Sequence, residues 1–268
     1  MKGRPPRDTT CISSAGSELY KRKVQGNGNA DRMSELYINN GTGNFSIVSR
    51  TPFKGVYQSS VAFADIDGDL DHDVLIIGDS NSGILAELYT NDGTGNYSLV
   101  TNTPFSGVKA GSLAFADIDG DMDQDVLITG NSNWSNSGII SSLYANDGNG
   151  QFSLIPNTTF TGVQTGSIAF ADIDGDLDQD VLITGFNNDF EAVSELYFND
   201  GLGNFTLLVN APFPAVYSSS IAFGDVDSDA DQDILSTGNT GNSGSISKLY
   251  TNDGFGNYSI AENSSFTS

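Results

Sequence analysis

Residues 63–78 read FADIDGDLDHDVLIIG and place an aspartate at every second position from Asp65 to Asp73. The stretch is apolar before these acids and apolar after them, which is typical of two strands joined by a short loop. In an extended loop, carboxylates about 4 Å apart would repel each other by about 4 kcal/mol at an effective dielectric of about 20. A curled loop would instead bring the carboxylates to one point, where their oxygens could bind a hard cation such as calcium.

This stretch recurs along the chain with a regular period. The first aspartates of the copies stand at positions 65, 117, 172 and 225. A second motif keeps the same period, from LYINNGTGNFSIV at 36 to LYTNDGFGNYSI at 249. Such a period indicates one supersecondary unit used repeatedly. The further copies of the first motif are FADIDGDMDQDVLITG at 115–130, FADIDGDLDQDVLITG at 170–185 and FGDVDSDADQDILSTG at 223–238.

Each unit reads as four strands. Residues 111–118 alternate as a strand should, with Leu113 and Phe115 on one face and Ala114 and Ala116 on the other. Residues 125–130 contain a short apolar run typical of a central strand covered on both faces. Two further strands, at 141–146 and 151–155, flank an Asn-Asp-Gly step that favours a tight hairpin. The sequence therefore predicts an all-β fold, a β-propeller of four-stranded antiparallel blades. The aspartate stretches and the Asp-Gly turns should lie on one face, and the variable loops on the other.

The strand count predicts about four and a half to five blades. One alternative is a five-bladed ring with an irregular first blade, whose first two strands come from residues 9–30 or from the far end of the chain. The favoured alternative is an incomplete propeller, either an open arc or a fragment of a longer protein. We expect an irregular or disordered basic leader at 1–30 and a single propeller domain at 31–268. The complete blades are expected at about 58–104, 110–158, 165–213 and 218–263, after half a blade at 36–48.

The repeats resemble the FG-GAP (VCBS-type) family, which includes the integrin α-subunit propeller, over residues 33–268. That family carries the loop pattern DxDGDGxxD, or DxDGDGDxD in many members, between the first two strands of a blade. The resemblance implies about four calcium sites, one per loop, with the aspartate at position 7 ligating through its main-chain oxygen. The predicted ligands are Asp65, Asp67, Asp69, Asp71, Asp73, Asp117, Asp119, Asp121, Asp123, Asp125, Asp172, Asp174, Asp176, Asp178, Asp180, Asp225, Asp227, Asp229, Asp231 and Asp233.

Two features of these loops depart from the family pattern. The glycine at position 6 is replaced by a residue with a side chain, and Ser228 stands where the other loops have glycine at position 4. A left-handed backbone at position 6 would cost about 1–2 kcal/mol for such a residue. Either these loops avoid that conformation or their calcium affinity is reduced. The residues at position 6 are Leu70, Met122, Leu177 and Ala230.

The charge distribution limits the partners. The net charge is −23, although seven of the eleven basic residues lie in the first 32 positions. A body this acidic repels nucleic acid and anionic membranes and attracts cations. No apolar run is long enough for a membrane span. We therefore expect neither nucleic-acid binding nor membrane insertion.

The chain has one cysteine and one histidine. The single cysteine, Cys11, excludes an intrachain disulfide and argues against a Cys-based zinc site. The single histidine, His72, argues against Ser/His/Asp chemistry.

These observations favour a non-catalytic calcium-binding propeller, extracellular or at the cell surface, that serves adhesion or protein or glycan recognition. Trp134, Phe186 and Phe190 lie in the variable loops and are candidates for ligand contact. Two alternatives are the propeller portion of a secreted polysaccharide-active enzyme and a purely structural surface module. His72 is expected to face solvent. Turn chemistry is expected to explain a further set of acids, Asp92, Asp147, Asp200 and Asp253.

Overall fold

The structure, a computed structural model, describes residues 11–14, 17–20, 32–135, 137–241 and 244–261. Across these ranges the chain forms 20 strands and no helix, so none of the described residues belong to a helix that could cross a membrane. The strands make five four-stranded antiparallel sheets, which we name blades 1 to 5 in chain order. The predicted all-β fold and its blade organisation are confirmed.

The strands follow one another along the chain in groups of four. Blade 1 comprises β1 (Cys11–Ser14), β2 (Ser17–Tyr20), β3 (Glu35–Asn39) and β4 (Phe45–Ile47). Blade 2 comprises β5 (Val56–Ala64), β6 (Asp73–Ser80), β7 (Gly83–Asn91) and β8 (Tyr97–Leu99). Blade 3 comprises β9 (Leu113–Ala116), β10 (Asp125–Asn131), β11 (Ile139–Asn146) and β12 (Phe152–Leu154). Blade 4 comprises β13 (Ile168–Ala171), β14 (Asp180–Phe186), β15 (Ala192–Phe198) and β16 (Thr206–Leu207). Blade 5 comprises β17 (Tyr217–Gly224), β18 (Asp233–Asn239), β19 (Ser245–Thr251) and β20 (Ser259–Ile260).

Across the described residues the blades are arranged as an open arc and not as a closed ring. Within each blade the strands pair in chain order, and the first strands of successive blades contact one another. The predicted half blade at 36–48 is completed by β1 and β2, so its missing strands come from the first of the two expected sources. The division into a leader at 1–30 and a propeller from residue 31 stays a prediction, although two strands of blade 1 precede residue 31.

The second strand of a blade is the centre of the core. Every residue of β6 and β10 is buried, as the apolar run in the sequence predicts. Leu75 and Ile77 of blade 2 pack in one cluster with Val126 and Ile128 of blade 3, so the core lies between blades and not within one sheet. Because each blade buries its faces against its neighbours, stability in this architecture is built mainly from nearest-neighbour contacts.

An aromatic anchor joins each linker to the next blade. Phe105 in the linker meets Tyr144 of β11 edge to face with ring centroids 5.0 Å apart, and it also packs on Phe152 of β12. The Ser106 amide donates to the Tyr144 hydroxyl at 3.1 Å. In the linker to blade 5 the corresponding residue is Pro214, which has no N–H to donate. The other anchors are Phe53–Tyr89–Tyr97, Phe160–Tyr197–Phe205 and Phe213–Tyr250–Tyr258.

A chain of main-chain hydrogen bonds links the blades at their inner ends. The amide of Ala110 donates to the carbonyl of Gln58 at 2.8 Å, and the amide of Thr165 donates to Ala110 at 2.5 Å. Ser218 continues the chain by donating to Thr165 at 2.7 Å. All four residues have left-handed backbones, with φ between 45° and 54°. This conformation is uncommon for residues with side chains, and here it recurs at the same place in blades 2 to 5.

Candidate metal centres

The aspartate loops join the first and second strands of blades 2 to 5. Their nine positions correspond to residues 65–73, 117–125, 172–180 and 225–233. In blade 2 the carboxylate of Asp65 accepts the amides of Gly68 at 2.9 Å and Leu70 at 3.0 Å. The carboxylate of Asp69 accepts the amide of Asp71 at 3.0 Å. These bonds curl the loop, and the same bonds recur in the other three loops.

The aspartate at position 9 fixes the base of each loop. Asp73 is the first residue of β6 and is buried. One of its oxygens accepts the amide of Ile66 at 3.2 Å, and the other accepts the amide of Asn91 at 2.8 Å. Asn91 begins a turn between the third and fourth strands, so Asp73 joins the two hairpins of its blade. We name the corresponding segments, residues 91–95, 146–150, 199–203 and 252–256, the NDG turns.

Three of the five predicted ligands converge in each of the first three loops. Carboxylate oxygens of positions 1, 3 and 9 lie within 4.8 Å of one another. At that separation two ionised carboxylates repel by about 3 kcal/mol at an effective dielectric of about 20. A bound divalent cation would reverse this repulsion. The converging sets are Asp65, Asp67 and Asp73; Asp117, Asp119 and Asp125; and Asp172, Asp174 and Asp180.

The fourth loop has a different arrangement. Its oxygens fall into two overlapping groups, one of positions 1, 3 and 5 and one of positions 3, 7 and 9. Position 1 and position 9 are therefore not brought into one group as they are in the other loops. The two groups are Asp225, Asp227 and Asp229, and Asp227, Asp231 and Asp233.

Burial and mutual repulsion shift the protonation of these acids. Burial raises the pKa of Asp73 and of Asp180 to about 7, although two backbone N–H groups oppose the shift in each case. Burial likewise raises the pKa of Asp125 to about 6. The pKa of Asp67 is raised by burial first and then by the charge of Asp69. A site that disfavours its own negative charge in this way gains from a cation.

Unpartnered oxygens in three of the four loops, at 65–73, 172–180 and 225–233, fit a metal ion. Five aspartate oxygens are buried in the loops and accept no hydrogen bond from the described residues. A buried carboxylate oxygen normally has a donor, because leaving it without one is costly. A cation bound between the carboxylates would provide the missing interaction. The five atoms are Oδ1 of Asp67, Asp71, Asp174, Asp178 and Asp231.

The side chain at position 7 meets the NDG turn of its own blade. A Cβ built on Gly93 would lie 2.9 Å from Oδ2 of Asp71, and one on Gly148 would lie 2.6 Å from Oδ2 of Asp123. Both glycines also have left-handed backbones, with φ of 71° and 72°. The left-handed backbone therefore favours glycine at this position, and a Cβ there would also displace the neighbouring carboxylate. Ligation through the main-chain oxygen of position 7 stays a prediction.

The loops do not avoid the left-handed conformation at position 6. Leu70 and Met122 each have φ of 73°, Leu177 has 77° and Ala230 has 78°. Of the two alternatives, avoidance is therefore wrong. The side chain of Leu70 is 88% exposed, so it gains no packing that would offset the strain. Ser228 is also left-handed, with φ of 69°.

Sequence comparison identifies the repeat. The pattern of the FG-GAP-like repeat family matches residues 24–76, 71–128, 117–183 and 172–236, which together make up most of the chain. The chain belongs to the FG-GAP-like repeat family. No protein with a curated description matches it in sequence.

Several solved structures resemble this FG-GAP-like propeller at low identity. A protein assigned as an exo-beta-1,3-galactanase from Bifidobacterium bifidum s17 is 11% identical with a TM-score of 0.54, over 97% of this chain and 92% of that chain. An exo-beta-1,3-galactanase from Phanerochaete chrysosporium, solved with galactose, is 10% identical with a TM-score of 0.48, over 97% and 67% of the two chains. A Trypanosoma rangeli sialidase, solved with sialic acid, is 11% identical with a TM-score of 0.49, over 92% and 46%. The first of these supports the fold alone.

The aromatic candidates of the FG-GAP-like chain occupy different environments. Trp134 is 67% exposed, and the ammonium group of Lys109 lies 4.2 Å from its ring centroid. Phe190 is also exposed. Phe186 instead stacks on Tyr217 of blade 5 with centroids 3.8 Å apart, which gives it a packing role between blades.

The remaining singled-out residues of the FG-GAP-like repeats behave as expected. The side chain of Asp92 accepts the amides of Thr94 and Asn96, and hydrogen bonds from those two side chains hold its pKa below the ordinary value. Asp200 and Asp253 show the same lowered pKa, from hydrogen bonds with Asn204 and Asn257. These acids are turn residues. His72 is exposed.

One group of site residues was missed from the sequence. The first asparagine of each NDG turn in blades 3 to 5 donates a hydrogen bond to the aspartate loop of the preceding blade. Turn chemistry already accounts for an asparagine at this position. The recurrence of Asn at the same place in successive copies was the only available signal.

Proposed function

We propose that this FG-GAP-like chain is a calcium-stabilised, non-catalytic binding propeller that works outside the cell. The observation that carries the proposal is the set of buried aspartate oxygens, in three of the four aspartate loops, that accept no hydrogen bond from the described residues. The available ligands are all oxygens, which suits calcium or magnesium and disfavours soft metals. Calcium is the better match, because it accepts irregular sets of carboxylate ligands, whereas magnesium demands near-octahedral geometry.

The expected calcium affinity supports the proposed extracellular location. Left-handed residues with side chains at position 6 strain each loop, and this strain should weaken calcium binding. Loops of modest affinity, about 10⁻⁴ to 10⁻³ M, are filled at the millimolar calcium found outside cells. Binding to the folded state alone then stabilises the fold by mass action.

We assign ligand recognition to the variable-loop face, opposite the aspartate loops. Trp134 offers an exposed ring there, and the neighbouring Lys109 adds a positive charge. Exposed aromatic surface of this kind can stack on a sugar or pack against a protein. The partner class we propose is a protein or a glycan.

A non-catalytic role is supported by the chemistry that the chain offers. Its one histidine is exposed within an aspartate loop, and most of the clustered acids are already engaged in loops and turns. The fold is shared with a protein assigned as a galactanase, so turnover of a polysaccharide is the competing outcome of the binding experiments.

Calcium titration of matched variants tests the metal sites. We expect calcium to raise the melting temperature relative to EDTA and to bind with about four equivalents by calorimetry. Asp119→Asn should lose about one equivalent and part of the stabilisation. Asp147→Asn removes the same charge from an NDG turn and should retain both. An identical melting curve in calcium and EDTA, or equal losses in the two variants, would overturn the calcium proposal.

Binding screens test the recognition face. Trp134→Ala should abolish binding to a protein or glycan array hit, whereas Phe255→Ala, an exposed aromatic of an NDG turn, should leave it unchanged. Equal effects of the two changes would contradict the assigned face. Release of sugars from a polysaccharide would contradict the non-catalytic role.

A further inference from the structure

The NDG turn of each following blade is bonded to the aspartate loop of the blade before it. The side-chain amide of Asn146 in blade 3 donates to the carbonyl of Ile66 in blade 2 at 2.8 Å. Asn199 donates in the same way to Ile118 at 2.8 Å. Asn252 donates to Ile173 at 2.7 Å. In every case the acceptor is position 2 of the loop, between the predicted ligands at positions 1 and 3.

At position 2, both the main-chain amide and the main-chain carbonyl are therefore hydrogen-bonded. The amide of Ile118 donates to Asp125 at 3.1 Å, while its carbonyl accepts from Asn199. Positions 1 and 3 flank Ile118, so these two bonds fix the peptide groups on either side of it. They thereby orient the carboxylates of Asp117 and Asp119 toward that of Asp125. The main-chain amide of Asn199 also donates to Asp180, the position 9 residue of its own loop, at 2.8 Å. Consecutive loops are thus joined by an unbroken series of hydrogen bonds.

Close packing accompanies these bonds. A Cβ on Gly203 of the following turn would lie 3.6 Å from Cδ1 of Ile118 and 4.0 Å from Cβ of Asp119. Gly150 lies in the same relation to Ile66 and Asp67, at 3.4 and 3.7 Å. The following turn covers position 2 so completely that the three isoleucines are 2% exposed or less. The turn therefore restricts the conformation of the loop by packing against position 2 as well as by its hydrogen bond.

Blade 5 provides an internal comparison. Within the described residues no later turn follows its loop, and Val226 at position 2 is 54% exposed. The amide of Val226 still donates to Asp233 at 2.8 Å. Nevertheless, this is the loop whose oxygens at positions 1 and 9 do not fall into one group. The loop without a covering turn is thus also the loop in which the oxygens of positions 1, 3 and 9 do not form one group.

We propose that the NDG turn of each following blade completes the calcium site of the preceding blade, and that Asn146, Asn199 and Asn252 are positioning residues for the loops at 65–73, 117–125 and 172–180. The inference rests on the proposed calcium binding. It adds that each of these sites is shared by two blades, so calcium binding in one blade strengthens the boundary with the next. None of the three asparagines needs to contact the ion.

Residue-resolved calcium titration tests this assignment. The amides of Gly68, Gly120 and Gly175 each report one loop by NMR. Asn199→Ala should weaken the calcium response of Gly120 at least five-fold and leave that of Gly68 unchanged. The side chain of Asn199 also donates to Gln179 of its own loop at 3.3 Å, so the response of Gly175 should change no more than that of Gly68 does in the control variant below. Asn252→Ala should act on Gly175 alone, which keeps the test available if one variant folds poorly. The matched control is Asn91→Ala, because the side chain of Asn91 donates to His72 of its own loop, as that of Asn199 also does to Gln179. Any change at Gly68 in this control measures the loss of that own-loop bond, and the responses of Gly120 and Gly175 should stay as in the parent.

The outcomes separate the two proposals. If none of the glycines responds to calcium in the parent protein, the calcium proposal falls. If they respond but Asn199→Ala leaves Gly120 unchanged, or shifts all three alike, the shared-site inference falls and the calcium proposal stands. A Gly120-specific loss supports both.

Discussion

The amide of Leu70 donates to the carboxylate of Asp65 at 3.0 Å, and Leu70 reaches this position only by adopting a φ of 73°. The hydrogen bond orients a predicted calcium ligand, while the strained backbone opposes it. Glycine would allow the same bond without the steric cost of a Cβ.

Leu70→Gly should therefore stabilise the protein by up to about 1 kcal/mol, because the relieved strain exceeds the entropy that glycine gains in the unfolded chain. It should also increase calcium affinity. Leu70→Ala keeps the strain and removes only an exposed side chain, so it should be close to neutral. Urea unfolding with and without calcium measures both variants. A Leu70→Gly protein no more stable than Leu70→Ala would contradict this interpretation.

The hydroxyl of Tyr250 is buried without a hydrogen-bond partner among the described residues, and the proline in its linker explains the missing donor. Tyr250→Phe should leave the free energy of unfolding unchanged or raise it, because it removes an unsatisfied group. Tyr197 instead donates to Glu195 at 2.6 Å and accepts from Thr161 at 3.2 Å. Tyr197→Phe should cost about 1 kcal/mol. Equal losses in the two variants, measured by urea unfolding, would disagree with this explanation.

Metal-depleted protein should lose stability as the pH rises through 6 to 7. The pKa values of Asp73 and Asp180 are raised to about 7 in the folded state, so the folded chain binds more protons than the unfolded chain above pH 4. Their contribution is fully present below the ordinary pKa of 3.8 and is lost as the pH rises through the folded value. With saturating calcium the trend should reverse, since the metal competes with protons.

Thermal melts at pH 5 and pH 8 measure this dependence. Asp180→Asn should flatten the metal-free trend. Asp200→Asn is the control, because its lowered pKa confines its effect to acidic solution. Metal-depleted protein that melts higher at pH 8 than at pH 5 would show that other groups dominate.

Substitutions at Gly93 and Gly95 distinguish the energetic cost of backbone strain from the cost of a close contact. Both are left-handed, with φ of 71° and 86°, but only a Cβ on Gly93 would meet a neighbour, Oδ2 of Asp71 at 2.9 Å. Gly93→Ala should therefore be less stable than Gly95→Ala by up to about 1 kcal/mol, because the carboxylate of Asp71 must move to admit the Cβ. Combining Gly93→Ala with Asp71→Ala should remove the difference when stability is compared in EDTA. If both single variants lose the same amount, the contact with Asp71 has no energetic weight.

Much of this architecture could be predicted because a motif that allows several interpretations in one copy can be interpreted from all of its copies together. The apolar run at β10 and the Asn-Asp-Gly step at 146–148 each allow several interpretations alone, but their recurrence at a fixed period allows one. The aspartates at positions 1, 3 and 9 were predicted for the same reason.

The remaining features depend on contacts that the sequence pattern does not carry. The left-handed conformation of Leu70 opposes its local preference and is imposed by the bonds that curl the loop. The strands β1 and β2 lack the aspartate motif, so only their pairing with β3 identifies them. The bond from Asn199 to Ile118 joins residues 81 positions apart, and turn propensity concealed it.

The inner chain from Gln58 to Ser218 has an evolutionary consequence. Its links are main-chain groups, and Gln, Ala, Thr and Ser occupy equivalent places in it. The spacing of the blades at their inner ends therefore does not depend on a particular side chain. A gene segment encoding one blade could be duplicated, deleted or exchanged between copies, and the new blade would still find its donor and acceptor. Such proteins can grow or shrink by whole units while their exposed loops diversify.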